Sequence, residues 1–324
     1  MQKKQKKTAL LILNYNNYED TINCIESVEK YNSSPIKYIV VDNGSTRADV
    51  VENLHDYFTK TFGVDYFYHD ESKSLNIEEP LKYLTLLVSD SNDGYAQGNN
   101  KGLKLAYQDD EIEHIMVLNN DVLFVEDIIP SLLDKKKELP DCAIISPVLY
   151  KKGLKELDYN CARLNHSEWE IINTYLMLYR DLFGYISKKN TERKLLLRFP
   201  EYMNKEHIEI ELPSGSCMLM NKSFIQEIGG FDPNTFLYFE ENILYKKISK
   251  LGLKNYLLTK CKCIHLGASS TSKSPSNLIQ KISIQSANYY LKQYTCLTYI
   301  QLAFWNLALF FNKIKYYILN KWKL

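Results

Sequence analysis

The chain has 324 residues, 45% of them hydrophobic and 24% charged, which suits one large α/β domain with an appendage and excludes a disordered or fibrous chain. Its net charge of +1 conceals an asymmetry: residues 242–324 hold thirteen lysines and no acid or arginine, so they carry +13 and residues 1–241 about −12. A basic segment suggests an anionic partner; the missing arginines disfavour nucleic acid and leave an anionic membrane surface.

Residues 8–13, TALLIL, read as a buried strand. The apolar run is too short for a secretory leader, and the expected location is the cytoplasm. Tyr18, Ile22, Ile25 and Val28 recur at helical spacing, with Asn17 as the cap. A second strand covers 36–41, and Val51, Leu54 and Phe58 mark a second helix. The segment 66–79 is an insertion with no assigned place. Strands follow at 84–88, 115–118 and 143–145, and a helix carries Leu103 and Tyr107. Residues 150–206 lose periodicity and read as an irregular or helical insertion holding Trp169, Tyr175, Tyr179 and Tyr185. Strand character returns over 208–220, then a helix bearing Leu244, Ile248 and Leu251 ends at Gly252, and a strand over 256–258 leads to His265. Residues 269–277 are a Ser/Thr/Pro-rich linker before a basic, aromatic helical tail. The seven cysteines are scattered, and the Cys261/Cys263 pair lacks the spacing of a zinc knuckle, so free thiols in a reducing compartment are expected.

Strands alternating with helices imply a mostly parallel sheet covered on both faces, and ligands bind beyond the carboxyl ends of such strands. Four polar segments stand there: 14–17, 42–45, 89–94 and 119–121. Asp42, in VVDNGS, can accept hydrogen bonds from a ribose or a base, or it can belong to a simple turn. Asp121, in NND, can hold Mg²⁺ or Mn²⁺ against a diphosphate, or cap a helix from Val125. Glu240 and Glu241 can supply a general base, or stabilise a helix N-terminus. His265 is a metal ligand or a structural histidine. The run NDGYAQGNNKG can bring backbone N–H groups to a phosphate, or form a surface turn. It is neither G-x-G-x-x-G nor a P-loop, which argues against a dinucleotide dehydrogenase and a P-loop kinase.

In order, LLILNYNNYEDTINCIESV, IVVDNGS, NDGYAQGNNKG, VLNNDV, LPSGSCMLMNK, GGFDPNTFLYFEEN and IHLGAS resemble the family 2 glycosyltransferases of the GT-A fold, in particular their rhamnosyltransferase-like branch. The resemblance covers about residues 8–270 with a gap at the middle insertion. It implies a GT-A domain over 1–270, with 150–206 a variable acceptor-side insertion and 271–324 a membrane-associated helical tail. It implies that Asn14, Asn16, Asp42, Asn43, Gly44, Asp93, Gly94, Gly98 and Asn120 serve the nucleotide, while Asn99, Gly215 and Ser216 line the donor or acceptor cleft. Asp121 and His265 become ligands of Mn²⁺ or Mg²⁺, because Asn119 occupies the place often held by the motif's first acid. Glu241, with Glu240 beside it, becomes the base of an inverting displacement. Two departures stand out: Glu241 replaces the family's common Asp, and Ile243 stands where another acid is frequent. The implied partners are a UDP- or dTDP-sugar donor, a glycan or polyprenyl-linked acceptor, and the inner face of the plasma membrane. The last follows from residues 297–311, whose fifteen mostly apolar residues flanked by lysines suit a helix lying in the interface better than one crossing it, or else an ordinary amphipathic helix packed on the domain. The altered acidic motif also admits a non-catalytic nucleotide-sugar-binding or scaffold subunit of a polysaccharide assembly complex.

Overall fold

The computed structural model describes residues 6–72, 80–151, 153–176, 185–267 and 276–321. Tyr179, Lys323 and all of the 269–277 linker except Ser276 and Asn277 lie outside them. The first half alternates strand and helix: β1 (Lys7–Asn14), α1 (Tyr18–Tyr31), β2 (Ile36–Asp42), α2 (Asp49–Phe62), β3 (Tyr66–Asp70), β4 (Leu84–Val88), α3 (Gly94–Gln108) and β5 (Ile112–Asn119). β1 and β2 are apolar along nearly their whole length because both of their faces are buried. Alternate residues divide between two cores. Leu10 and Ile12 face Ile25, Leu54 and Leu132 on one side; Ala9 and Leu11 face Ala96, Leu103 and Ile248 on the other.

The second half adds β6 (Val122–Phe124), α4 (Ile129–Glu138), β7 (Cys142–Lys151), β8 (Glu156–Leu157), β9 (Ala162–Arg163), α5 (Glu168–Leu176), α6 (Tyr185–Glu192), α7 (Leu195–Arg198), β10 (His207–Ile210), β11 (Leu212–Pro213) and β12 (Cys217–Asn221). It closes with α8 (Lys222–Glu227), α9 (Glu240–Lys250), β13 (Lys254–His265), α10 (Ser276–Tyr294) and α11 (Tyr299–Lys321). The main sheet runs β10-β13-β7-β12-β5-β1-β2-β4-β3, with β6 on β13 and β8 on β7. Pairing is parallel from β5 through β1, β2 and β4 to β3, and antiparallel where β12 meets β5 and β7.

Three expectations are corrected. The insertion read at 66–79 begins as the edge strand β3, parallel to β4, whose half-buried aromatics pack on Phe58. The helix placed from Val125 starts at Ile129, after a short strand, with proline in its first turn. The strand read at 256–258 is twelve residues long, interrupted by a register shift between Leu258 and Lys262. All seven cysteines are free, and only Cys296 is exposed.

The tail is folded onto the protein. Trp305 and Ala308 of α11 pack with Tyr290 and Leu291 of α10, Ile171 and Tyr175 of α5, and Ile243 of α9. Gln301, Trp305, Ala308 and Asn312 form the inward stripe, while Ile300, Phe304, Leu307, Phe311 and Ile314 are exposed on another face. Among the described residues no helix is long and apolar enough to cross a membrane.

Candidate functional site

Parallel register ends the central strands together: Asn14 pairs Asp42, Asp42 pairs Val88, and Leu13 pairs Asn119. The four polar segments therefore meet at one edge of the sheet, where ligands of doubly wound folds bind. Asp42 is fully buried. Its Oδ1 accepts from Asn14 Nδ2 at 2.6 Å and Ser45 Oγ at 2.5 Å, and its Oδ2 accepts the Ser45 N–H at 3.0 Å. A carboxylate oxygen has two acceptor positions, so Oδ2 keeps one unfilled inside the protein. Asn14 Oδ1 in turn accepts from Thr21 Oγ1 and Asn120 Nδ2, so Asn14 and Asn120 form the buried frame that orients Asp42. Asn16, at φ 57°, accepts the N–H groups of Thr46 and Arg47 and fixes the loop after β2.

The Gly/Asn-rich run is mostly scaffold. Asn43 donates to Asn92 Oδ1 and to the Gly94 carbonyl and accepts the Asp93 N–H, latching the loops after β2 and β4 together. Gly44 approaches Ser91 so closely that a Cβ would overlap its backbone. Gly94 lies at φ +82°, against the Phe236 carbonyl. Gly98 seats α3 on Leu13 and Asn43, and the Asn99 amide donates to the Tyr95 carbonyl inside the protein. Asp93 is held by Lys101 at 2.7 Å, which, with Ser91, keeps its carboxyl below the usual range despite partial burial.

The antiparallel β13–β6 pair puts His265 opposite Val122, next to Asp121. His265 Nε2 stands 3.6 Å from Asp121 Oδ1 and 3.2 Å from Ser216 Oγ. On its other side Nδ1 is 3.1 Å from Asp158 Oδ2, so the ring donates from Nδ1 and turns Nε2 toward Asp121 and Ser216. Burial disfavours the imidazolium, but Asp158 and Asp121 outweigh it and raise the His265 pKa. Burial also raises that of Asp121, against the pull of His265. Asp121 Oδ1 is buried without a hydrogen-bond partner, an orphaned carboxyl oxygen beside the imidazole Nε2. Among the described residues no three His, Cys, Asp or Glu side chains gather as a metal cage. One carboxylate and one imidazole fit a cation that takes its remaining ligands from phosphates and water.

Ser216 connects this pair to the glutamates. Next to it, the Gly215 N–H donates to Glu241 Oε1 at 3.1 Å, and the Gly215 carbonyl accepts from Tyr95 OH at 2.6 Å. The Glu241 side chain is 22% exposed, and Arg163 Nη2 stands 3.5 Å from it. Glu240 is 5% exposed, and burial, then the Glu241 charge, push its carboxyl up to about 8. Burial thus favours the neutral form of Glu240, and Glu241 is the more accessible of the pair. A chain of contacts runs from Asp42 through Asn14 and Asn120 to Asp121, and from His265 through Ser216 and Gly215 to Glu241. Sequence reasoning did not single out Asp158, Arg163 or Tyr95; none lies in a recognisable metal or base motif, and long-range pairing brings each in.

No family model matches the chain. It is 24% identical over 236 residues to the low-salt glycan biosynthesis hexosyltransferase Agl10 of Haloferax volcanii, covering 72% of this chain and 58% of that protein. Over 64 residues it is 33% identical to the N-acetylglucosaminyl-diphospho-decaprenol L-rhamnosyltransferase of Mycobacterium tuberculosis, covering 20% and 21%. The chain thus spans little more than half the length of the first of these relatives. The fold matches a crystal structure of GalNAc-T7 with UDP, GalNAc and Mn²⁺ at a TM-score of 0.60 and 13% identity, over 89% of this chain and 48% of that one. The chain thus shares the GT-A architecture with a solved glycosyltransferase structure and is similar in sequence to glycan hexosyl- and rhamnosyltransferases.

Proposed function

We propose that the chain is an inverting, metal-dependent transferase that moves a hexosyl or deoxyhexosyl group from a UDP- or dTDP-sugar to a glycan carried on a polyprenyl lipid, in surface polysaccharide synthesis. The observation that carries this reading is the orphaned Asp121 Oδ1 beside His265 Nε2, linked through Ser216 and Gly215 to a partly exposed Glu241. The lipid-linked acceptor is suggested by the name of the decaprenol-dependent relative.

In this reading Asp42 and the Gly44–Ser45 turn receive the nucleoside. Asp121 and His265 would hold a Mn²⁺ or Mg²⁺, and that cation would supply positive charge to the departing diphosphate. Glu241 removes the proton from an acceptor hydroxyl as its oxygen forms the new bond to the anomeric carbon. The bond from that carbon to the diphosphate oxygen breaks at the same time, and its electron pair leaves with the nucleotide. The Gly215 N–H fixes the Glu241 carboxylate, and Glu240, neutral and buried, adds no second charge. The exposed Ile300, Phe304, Leu307, Phe311 and Ile314 of α11, with the lysines of the +13 segment, rest on the anionic inner face of the plasma membrane.

The test is Glu241→Gln. Transfer should fall by about 10²–10⁴-fold while UDP affinity in Mn²⁺ changes less than about twofold. Transfer at the parental rate would remove Glu241 from the role of base.

A further inference from the structure

Arg163 and Arg193 come from the region without sequence motifs. β9 sets Arg163 opposite Leu212, three residues before Gly215, and its Nη2 faces Glu241. Arg193 lies on the neighbouring stretch: its carbonyl accepts the Leu164 N–H at 2.9 Å, and its Nε donates to the Leu164 carbonyl at 3.3 Å. The next residue, Lys194, bridges Arg163.

These two guanidinium groups are undersupplied with acceptors. Arg193 is 8% exposed and makes no ion pair with a carboxylate among the described residues. The nearby Glu170 acts on it only at a distance, its carboxylate accepting from Ser167. The Arg163 Nε is buried with no partner, and among the described residues its one carboxylate neighbour is Glu241, 3.5 Å from Nη2. Buried cations are ordinarily paired, and each guanidinium offers five N–H donors in a planar fork. Burial and then the Arg163 charge push Arg193 down to about 10, and burial and both arginines push His166 down to about 3, so positive charge is crowded here. Fork-shaped donors left open in a partly dry place match the paired oxygens of a phosphate.

We propose that Arg163 and Arg193 form a subsite for the phosphate or diphosphate group of the acceptor. The donor's diphosphate belongs at Asp121 and His265, whereas the arginines are attached to the site through Glu241, the group that faces the acceptor hydroxyl. An acceptor sugar carried on a lipid diphosphate would set its charged linkage on this pair and its hydroxyl on Glu241. The inference rests on the transferase reading above and deepens it by naming what recognises the acceptor.

Calorimetry on the full chain tests it, with farnesyl diphosphate, farnesol and inorganic pyrophosphate as probes, in EDTA with saturating UDP. Farnesyl diphosphate and pyrophosphate should bind the parent chain, and farnesol should not. Arg193→Gln should weaken farnesyl diphosphate by about tenfold or more, Arg193→Lys by less, and neither should change UDP affinity in Mn²⁺ by more than about twofold. Arg163→Gln, at the more exposed position, answers the same question if Arg193→Gln does not fold. Displacement of farnesyl diphosphate by UDP, or equal loss of UDP binding in the variants, would assign the arginines to the donor and overturn the proposal. Farnesol binding as tightly, or no effect of either substitution, would overturn it too. Failure of the parent chain to bind UDP at all would remove the transferase reading and this one with it.

Discussion

Replacing Glu240 with Gln should stabilise the protein at neutral pH, by an amount that grows as pH rises. In the folded chain burial, and then the Glu241 charge, lift this carboxyl from 4.5 to about 8, and its Oε1 has no hydrogen-bond partner. At pH 7 the folded side chain is therefore protonated, whereas the unfolded one is ionised. Folding must take up a proton over about 2.5 pH units, which costs about 3 kcal/mol at 1.36 kcal/mol per unit. The sign follows from proton counting. Between about 4.5 and 8 the folded state binds more protons than the unfolded state, so this group's contribution is fully present below 4.5 and is lost as pH climbs to about 8. Gln is a neutral isostere that takes up no proton. Its fixed desolvation offset is the same at every pH, so the slope is the observable. The stability difference between variant and parent should widen by about 2.5 kcal/mol from pH 5.5 to 7.5, or roughly 5 °C in melting temperature. Urea unfolding at four pH values reads it directly. A difference that stays constant with pH would show that Glu240 is ionised in the folded chain, and would return it to contention as the base.

Asp121→Ala should weaken UDP binding in Mn²⁺ by at least about tenfold and leave binding in EDTA unchanged if its carboxylate holds the cation as proposed; equal affinities for parent and variant in Mn²⁺ would take Asp121 off the metal. Gly94→Ala forces a Cβ onto the Phe236 carbonyl at φ +82°, so about 2–4 kcal/mol should be lost in urea unfolding, and a loss under about 0.5 kcal/mol would mean the loop carrying Phe236 moves freely. Leu307→Glu with Phe311→Glu alters only exposed positions of α11, so melting should hold while flotation with anionic vesicles is lost. Undiminished flotation of that double variant would rule out this face as the membrane contact.

The sheet was legible because its strands are short apolar runs, each closed by a polar segment, and because parallel register then has to bring those segments together. Asp121 and His265 each stood out singly, but only the resemblance set them together, since a lone acid and a lone histidine 144 positions apart carry no spacing signal. The Asn/Gly run illustrates an ambiguity of chemistry. An amide that can meet a phosphate or a ribose can equally satisfy backbone groups, and Asn43, Asn99 and Asn100 do the second, the last holding both the N–H and the carbonyl of Phe231. Gly98 likewise permits helix–strand contact, which a sequence pattern does not separate from ligand approach. Asp158 and Arg163 were illegible because β8, β9 and the turn between them have no periodicity. Their places depend on pairing with β7 and β11, and the latter is forty-nine positions away from Arg163 at its paired residue.

The basic tail, separated in sequence by a linker, reaches Glu240 and Glu241 through backbone strain. Tyr238 and Phe239 both lie at positive φ, 75° and 72°, immediately before Glu240. For bulky residues the left-handed region costs about 1–2 kcal/mol each, so surrounding contacts must enforce the turn. Those contacts come largely from α10. Ser286 Oγ donates to the Leu237 carbonyl at 2.8 Å, and the Tyr290 ring lies 5.3 Å from that of Phe239. On the far side of the turn the Phe239 carbonyl accepts the Ile243 N–H and starts α9, the helix whose first turn carries Glu240 and Glu241. Trp305 of α11 is then fixed to α10 through Asn288 at 3.0 Å. The helix with the exposed apolar face is thus joined through α10 to the turn that aims Glu241. Loss of α10 would release that strain and displace Glu241, whatever becomes of membrane contact, so the tail is structurally continuous with the site it follows in sequence.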